Sequence, residues 1–258
     1  MGDQSPPPAG SERPSVPERP GTWHPAALAL GCSLSVALLA SWLLEPTRSL
    51  WLALDERVFW ALNGSLACCR AWQVLWALAN NRMVDIVAAL AMVGLYLHFM
   101  LRAGPVARNR LVAVGAMLTG LVLVAVQIGK ALPIRRPSAT LMHPSAFRLT
   151  ELVSWLPTKD ASADTFPGDH ATVLFICAGV ITLYLPRAYA AAAWTLAAVF
   201  MVPRLVSGAH WVTDDLVGAV SVAGFVLTCT FATPLHRIMT DHLERVIGRL
   251  RARRQRSD

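Results

Sequence analysis

Six stretches of the chain carry little or no charge: 25–44, 84–101, 111–129, 171–185, 188–202 and 216–235. A bilayer core needs roughly 20 apolar residues in a helix. The first and last stretches meet that length outright, and flanking residues extend the shorter four. The pattern predicts an all-α, polytopic membrane protein with six transmembrane helices. The segment 45–82 has a different rhythm. Trp51–Trp60 and 71–78 are rich in tryptophan and mix apolar with polar positions, as amphipathic helices lying at a membrane interface do.

The two ends stand apart from this domain, taken as residues 25–235. Residues 1–24 hold six prolines among Ser, Gly and scattered charges, a composition that cannot build a core and predicts a disordered tail. No basic cluster abuts the first apolar run, so it reads as a retained helix rather than a signal peptide. In 236–258, Leu243, Val246, Ile247 and Leu250 fall at helical spacing between arginines. That is the pattern of a basic amphipathic helix on an anionic leaflet, although a merely solvated basic tail has the same residues.

Charge sets the orientation. Arg102, Arg108 and Arg110 crowd the connection between spans two and three, Arg187 lies between spans four and five, and the tail holds further arginines. With six spans these regions share one side, which the positive-inside rule makes cytoplasmic, with both termini. The segments 45–82, 130–170 and 203–214 then face outward together.

Composition agrees and adds exclusions. Of 258 residues, 55% are hydrophobic and 15% charged, with mean hydropathy +0.47; a soluble domain carries about 25% charged residues. The formal charge of +7 comes almost wholly from arginine, since Lys130 and Lys159 are the only lysines. In a membrane protein this excess speaks of orientation and anionic lipid, not of nucleic acid. Five scattered cysteines, including the vicinal Cys68-Cys69, follow neither a disulfide framework nor a zinc spacing.

Candidate chemistry gathers on the outward side. Between two apolar runs the chain reads Pro203-Arg204-Leu205-Val206-Ser207-Gly208-Ala209-His210-Trp211-Val212-Thr213-Asp214-Asp215. His210 and Asp214 are four apart, so on a helix they share a face and touch. A carboxylate that orients one ring nitrogen leaves the other to act as nucleophile, and Arg204 offers a fork of donors for phosphate. Taken alone, these are equally ordinary interface residues snorkelling to headgroups. A second cluster tips the reading. Lys130, Arg135 and Arg136 lie at the outer end of span three, before Pro137, and Pro167-Gly168-Asp169-His170 opens span four. Free amides of Gly168 and Asp169 there make a seat for an anion, and His170 is placed to move a proton.

In order, the elements are Lys130-x5-Arg136-Pro137, Pro167-Gly168-Asp169-His170 and Arg204-x5-His210-x3-Asp214. This resembles the type-2 phosphatidic acid phosphatase (PAP2) superfamily, whose motifs run Lys-x6-Arg-Pro, Pro-Ser-Gly-His and Ser-Arg-x5-His-x3-Asp. The first motif is one residue short here, the second has Gly168-Asp169 for Ser-Gly, and Pro203 replaces the serine of the third. Asn80-Asn81-Arg82 with Asp85, and Pro157-Thr158-Lys159-Asp160-Ala161-Ser162 with Asp164, are further similar to the lipid A 1-diphosphate synthases of Gram-negative inner membranes.

The resemblance implies a phosphotransferase with its active site on the periplasmic face of the inner membrane. It would move the terminal phosphate of undecaprenyl diphosphate to the 1-phosphate of lipid A. In that role His210 is the nucleophile, Asp214 its orienter and His170 the acid and base. Arg204, Arg136, Lys130, Arg135 and the amides of Gly168 and Asp169 are the phosphate ligands, with no metal and no cofactor. Asp160, Asp164 and Asp169 do not have a cation-cage spacing; partners for Lys159 and nearby arginines, or a cap for span four, are the better reading. Two rivals remain at this stage. A hydrolase of undecaprenyl diphosphate or another lipid phosphate would use the same residues with water as acceptor. A lipid transporter or binding protein would need ionisable groups at mid-span, whereas here they cluster at one set of helix ends.

Overall fold

The computed structural model describes residues 21–254, with side chains to 249, and every regular element among them is helical. The chain opens with α1 (Pro25–Leu43), α2 (Thr47–Asn63), a 3-10 turn at Gly64–Ala67, α3 (Arg70–Ala79), α4 (Arg82–Arg102) and α5 (Pro105–Ala131). After the one-turn helices α6 (Ala139–Met142) and α7 (Leu149–Leu152) come α8 (Asp169–Tyr184) and α9 (Arg187–Val206). A π-helical segment, Asp214–Ala219, runs into α10 (Val220–Phe231), and α11 (Leu235–Arg254) ends the described chain.

Five of these helices are long and apolar enough to cross a membrane: α1, α4, α5, α9 and the continuous Asp214–Phe231. At 16 residues α8 is shorter, so six apolar helices stand where six were expected, and one of them falls below spanning length by itself. The start of α5 moves six residues ahead of the apolar run because Gly104-Pro105 begins it, with proline in the first turn where its missing N–H is no loss. Arg108 and Arg110 then ride on the extra helical turn rather than in a loop.

Helix α8 is the centre of the packing. It lies against α5, α9 and α10, and Ile176, Val180, Ile181 and Tyr184 are fully buried on it. A helix covered on most sides needs no apolar stripe, which is why its sequence is apolar nearly all round. On the flank, α1 packs along α10 through small residues. A Cβ on Gly31 would strike Thr228 at 2.5 Å, and one on Gly224 would lie 3.0 Å from the Ser35 hydroxyl. Close backbone approach of this kind is how helices associate in lipid. The outer faces of α1 and α4, including Leu30, Leu34, Leu90 and Val93, are exposed as lipid-facing side chains are.

The basic C-terminal segment is helical, but part of its apolar face is already used. Met239 and Leu243 of α11 pack onto the core beside α5. Of the proline-rich tail, residues 1–20 lie outside the described residues; 21–24 form no helix, and the His24 amide donates to the Ala232 carbonyl at 2.9 Å.

At one end of the bundle the segments 45–82, 130–170 and 203–214 meet, as the topology predicts. Asn63 joins all three: its Nδ2 donates to the carbonyls of Phe147 at 2.9 Å and Val206 at 3.2 Å, and its Oδ1 accepts from the Phe147 amide at 2.9 Å. That end carries the polar clusters.

Candidate active site

The turn after α9 decides where His210 points. Gly208 has φ +71°, the left-handed conformation that closes helices and that glycine adopts without a Cβ clash. The amides of Ala209 and His210 then double back to the Arg204 carbonyl, at 3.0 and 3.3 Å. Asp214 reaches back in turn, and its Oδ2 accepts the Trp211 amide at 2.8 Å, one half of a capping box. The same oxygen faces His210 Nδ1 at 3.4 Å, longer than an ordinary hydrogen bond. The two residues therefore meet, but not along a helical face as their spacing predicts. His210 sits in the turn because Gly208 ends α9 before it.

Behind Asp214 lies a buried ionic knot. Arg136 donates through NH1 to Asp214 Oδ1 at 3.1 Å and to the Thr213 hydroxyl at 2.8 Å, and through NH2 to Asp55 Oδ2 at 2.6 Å. Asp55 also accepts the Thr213 amide at 2.9 Å and its hydroxyl at 2.6 Å. The guanidinium lies between the faces of Trp42 and Trp211, 5.3 and 4.6 Å from the ring centres. Sequence reasoning makes Arg136 a phosphate ligand. In the structure both its terminal nitrogens are taken by carboxylates, and it orients Asp214 from behind.

The electrostatics of His210 follow from this placement. Burial opposes a charge on its ring, but the contact with Asp214 and the charges of Asp214 and Asp215 outweigh it, so the imidazole is held above its usual range. With Nδ1 turned to the carboxylate, Nε2 is the nitrogen left for chemistry.

Two cavities adjoin at the mouth of α8. One, about 230 Å³, is polar and is lined by Lys130, Arg135, Lys159, Asp169, His170 and His210. Arg135 pairs there with Asp164 at 2.7 Å, while Lys130, at the end of α5, is exposed. The other, about 210 Å³, is largely apolar, lies between α4, α8 and α9, and shares Asp169 and His170 with the first. Arg204 lines this second cavity, donating to Asn80 Oδ1 at 3.0 Å and to both oxygens of Asp85 at 2.9 and 2.6 Å. Asp85 Oδ2 in turn lies 3.2 Å from His170 Nε2.

The structure thus gathers His210, His170, Lys130, Arg135 and Asp169 on one cavity and Arg204 beside it, with Arg136 and Gly168 behind. The Gly168 amide, expected to face a phosphate, donates instead to the Asp214 carbonyl at 3.0 Å. A Cβ there would lie 2.1 Å from Asp215, so glycine is what lets the two segments touch. Of the acidic residues weighed as cation ligands, Asp164 pairs with Arg135, and Asp160 accepts from the Thr150 amide and hydroxyl and faces Arg148 at 3.7 Å.

Sequence reasoning missed Asp55 at this end of the bundle; Asn80, Asp85 and Lys159 entered it only through the resemblance, with no more than a headgroup role for Asp85. An aspartate in the first turn of a spanning helix was the available signal for Asp85. Asp55 gave none, since an interfacial helix carries acidic residues as a matter of course.

Residues 112–240 match the PAP2 superfamily. The chain is 37% identical over 203 residues to lipid A 1-diphosphate synthase of Escherichia coli (strain K12), an alignment covering 78% of this chain and 85% of that protein. No solved structure matches it.

Proposed function

The chain belongs to the PAP2 superfamily, and on that premise we propose that it transfers the terminal phosphate of undecaprenyl diphosphate to the 1-phosphate of lipid A. The reaction proceeds through a phosphohistidine at His210, on the periplasmic face of the inner membrane, with both termini cytoplasmic. The observation that carries this reading is one polar cavity that holds His210, oriented by Asp214, together with His170 and three cations. It opens beside an apolar cavity of a kind suited to a lipid chain.

In the first half-reaction His210 Nε2 attacks the terminal phosphorus. The bond to the bridging oxygen breaks, and His170 supplies the proton that polyprenyl phosphate takes as it leaves. In the second, an oxygen of the lipid A phosphate attacks the phosphohistidine, the N–P bond breaks, and His170 takes the acceptor's proton. Lys130, Arg135 and Arg204 spread the charge of the transferring group, with the Asp169 amide as a neutral donor. Charge stabilisation and positioning supply most of the rate in phosphoryl transfer, and these side chains provide both. Arg136 acts through Asp214.

The test uses purified protein in detergent and undecaprenyl diphosphate labelled at its terminal phosphate, with and without lipid A. Label appearing on lipid A, and lost in His210→Ala, is the expected result. Label released only as inorganic phosphate, lipid A or not, would make the protein a hydrolase.

A further inference from the structure

Of the cations lining the polar cavity, Lys159 alone is both half-buried and without a carboxylate partner. Arg135 has Asp164, and Lys130 is exposed to solvent. Among the described residues no carboxylate lies within ion-pair distance of the Lys159 ammonium. Asp169 and Asp85 attract it from further off, while Arg204 and Arg82 repel it. A cation withdrawn from water without a partner costs free energy unless an anion completes the site.

Its position is not left to chance. Lys159 belongs to a segment without regular secondary structure that is tied down at Pro157, Lys159, Asp160 and Ser162. Asn81 Nδ2 donates to the Pro157 carbonyl at 2.8 Å and Asn80 Nδ2 to the Lys159 carbonyl at 2.7 Å. The Asp160 carboxylate holds the Thr150 amide and hydroxyl, and its carbonyl accepts the Thr140 hydroxyl. Ser162 exchanges bonds with Ser138, amide to hydroxyl at 3.0 Å and carbonyl to amide at 2.9 Å. Asn80 also bonds Arg204, so one amide fixes the relative places of Arg204 and Lys159. A segment braced this closely presents its one long cationic side chain to the cavity in a set place, as preorganised binding requires.

We propose that Lys159 is the residue that selects a phosphate, rather than water, as acceptor. It binds the phosphomonoester that flanks the transferring group: the leaving polyprenyl phosphate in the first half-reaction and the 1-phosphate of lipid A in the second. The proposal rests on the reading above. Its logic is electrostatic. A phosphohistidine attacked by water needs cations only for the transferring group. Attacked by a phosphate, it faces a second anion at close range, and one more cation is needed to hold the two together. Microscopic reversal puts leaving and entering phosphates in the same place, so a single lysine serves both.

The experiment reads how the labelled phosphoryl group partitions between lipid A and water in wild type, Lys159→Ala and Lys159→Arg. This ratio does not depend on how fast the phosphohistidine forms. Lys159→Ala should lower transfer relative to inorganic phosphate release by at least about tenfold, the scale of one charge-assisted hydrogen bond. Lys159→Arg, which keeps the charge, should recover most of it. An unchanged ratio, or equal loss of both products, would overturn the proposal.

A second readout separates this from the proposed function itself. Dodecyl phosphate should raise the thermal midpoint of wild type and of Lys159→Arg, but not of Lys159→Ala, while dodecanol should raise none. If wild type transfers nothing to lipid A yet shows this pattern, the acceptor reading fails and the phosphomonoester site stands. If dodecyl phosphate stabilises Lys159→Ala equally, or inorganic phosphate alone gives the same shift as dodecyl phosphate, the site fails.

Discussion

Asp85 on α4 bonds Arg204 on α9 through both carboxylate oxygens, at 2.9 and 2.6 Å, and the second of these oxygens also faces His170 on α8. Three helices are joined at one carboxylate. The site therefore has two histidine–aspartate pairs, His210 with Asp214 and His170 with Asp85. On the proposed mechanism the first would orient the nucleophile and the second the group that moves protons. Asp85 would then be a positioning residue, because it would act through Arg204 and His170.

Asp85→Ala should lower phosphoryl transfer by roughly 10²-fold, the usual consequence of letting a catalytic group shift by about 1 Å. Asp85→Asn retains a bonding partner for His170 but leaves Arg204 without its counter-charge, so it should fall between alanine and wild type. Turnover against donor concentration measures both. A purely structural aspartate would lower folded yield and leave turnover per folded molecule unchanged, and that outcome would remove Asp85 from the site.

The pH dependence follows from the state of His210. Attack requires the neutral ring, and the ring is held above its ordinary value of about 6.5 by Asp214 and Asp215 despite its burial. The first half-reaction also needs His170 protonated, and burial holds that ring below its usual range despite Asp85. The rate should therefore form a bell in pH, with a falling limb above the ordinary value of a histidine. Asp214→Asn removes the largest contribution raising His210, so the falling limb should move to lower pH, while the plateau falls by roughly 10²–10⁴-fold as orientation is lost. A rate–pH profile of the two proteins decides this. A falling limb that stayed in place would mean that another group titrates.

Arg136 and Asp55 give a prediction of a different kind, because both are buried and neither lines the polar cavity. Asp55→Asn breaks a buried ion pair from one side, at a cost of about 3–5 kcal/mol. Arg136→Lys should cost stability too, since an ammonium cannot fork to Asp55 and Asp214 as the guanidinium does. Thermal midpoint and turnover should fall together in both variants, and the double variant should lose less than the sum. Lys130→Ala, at the cavity wall, should instead weaken turnover with the midpoint unchanged. If Arg136→Lys kept full stability while raising the donor KM, Arg136 would be a phosphate ligand after all.

What could be read from the sequence divides along physical lines. Apolar runs mark spans because lipid imposes one rule on every residue in them, and the meeting of 45–82, 130–170 and 203–214 follows from counting crossings. That His210 meets Asp214 and shares a cavity with His170 was legible from residue type and order, although a turn and not a helical face joins the first two. The partners of Arg136 and Gly168 were not. Whether an arginine faces a substrate or a carboxylate depends on what the rest of the chain brings up behind it, and Asp55 comes from 81 residues earlier. Asp85 was reached only through the resemblance, for the same reason: its partners Arg204 and His170 lie on other helices, which no local pattern encodes.

Gly208 joins this long-range packing to local backbone, and it gives the last prediction. Its φ of +71° is costly for any residue with a Cβ, by roughly 1–2 kcal/mol. An added Cβ would also lie 2.8 Å from the Phe59 ring and 2.9 Å from the Thr140 methyl, both from packed elements. Relief must come from moving the turn, since Phe59 is buried against Trp211 and Thr140 is held by the Asp160 carbonyl. The turn carries Ala209 and His210, so relief displaces His210. Gly208→Ala should therefore lose turnover out of proportion to stability, at least about 10²-fold for a midpoint drop of several degrees. Gly64, against whose Cβ position nothing lies within 4 Å, provides the control. Gly64→Ala should keep turnover and midpoint near wild type, and similar behaviour of the two variants would show that the Gly208 turn does not set the position of His210.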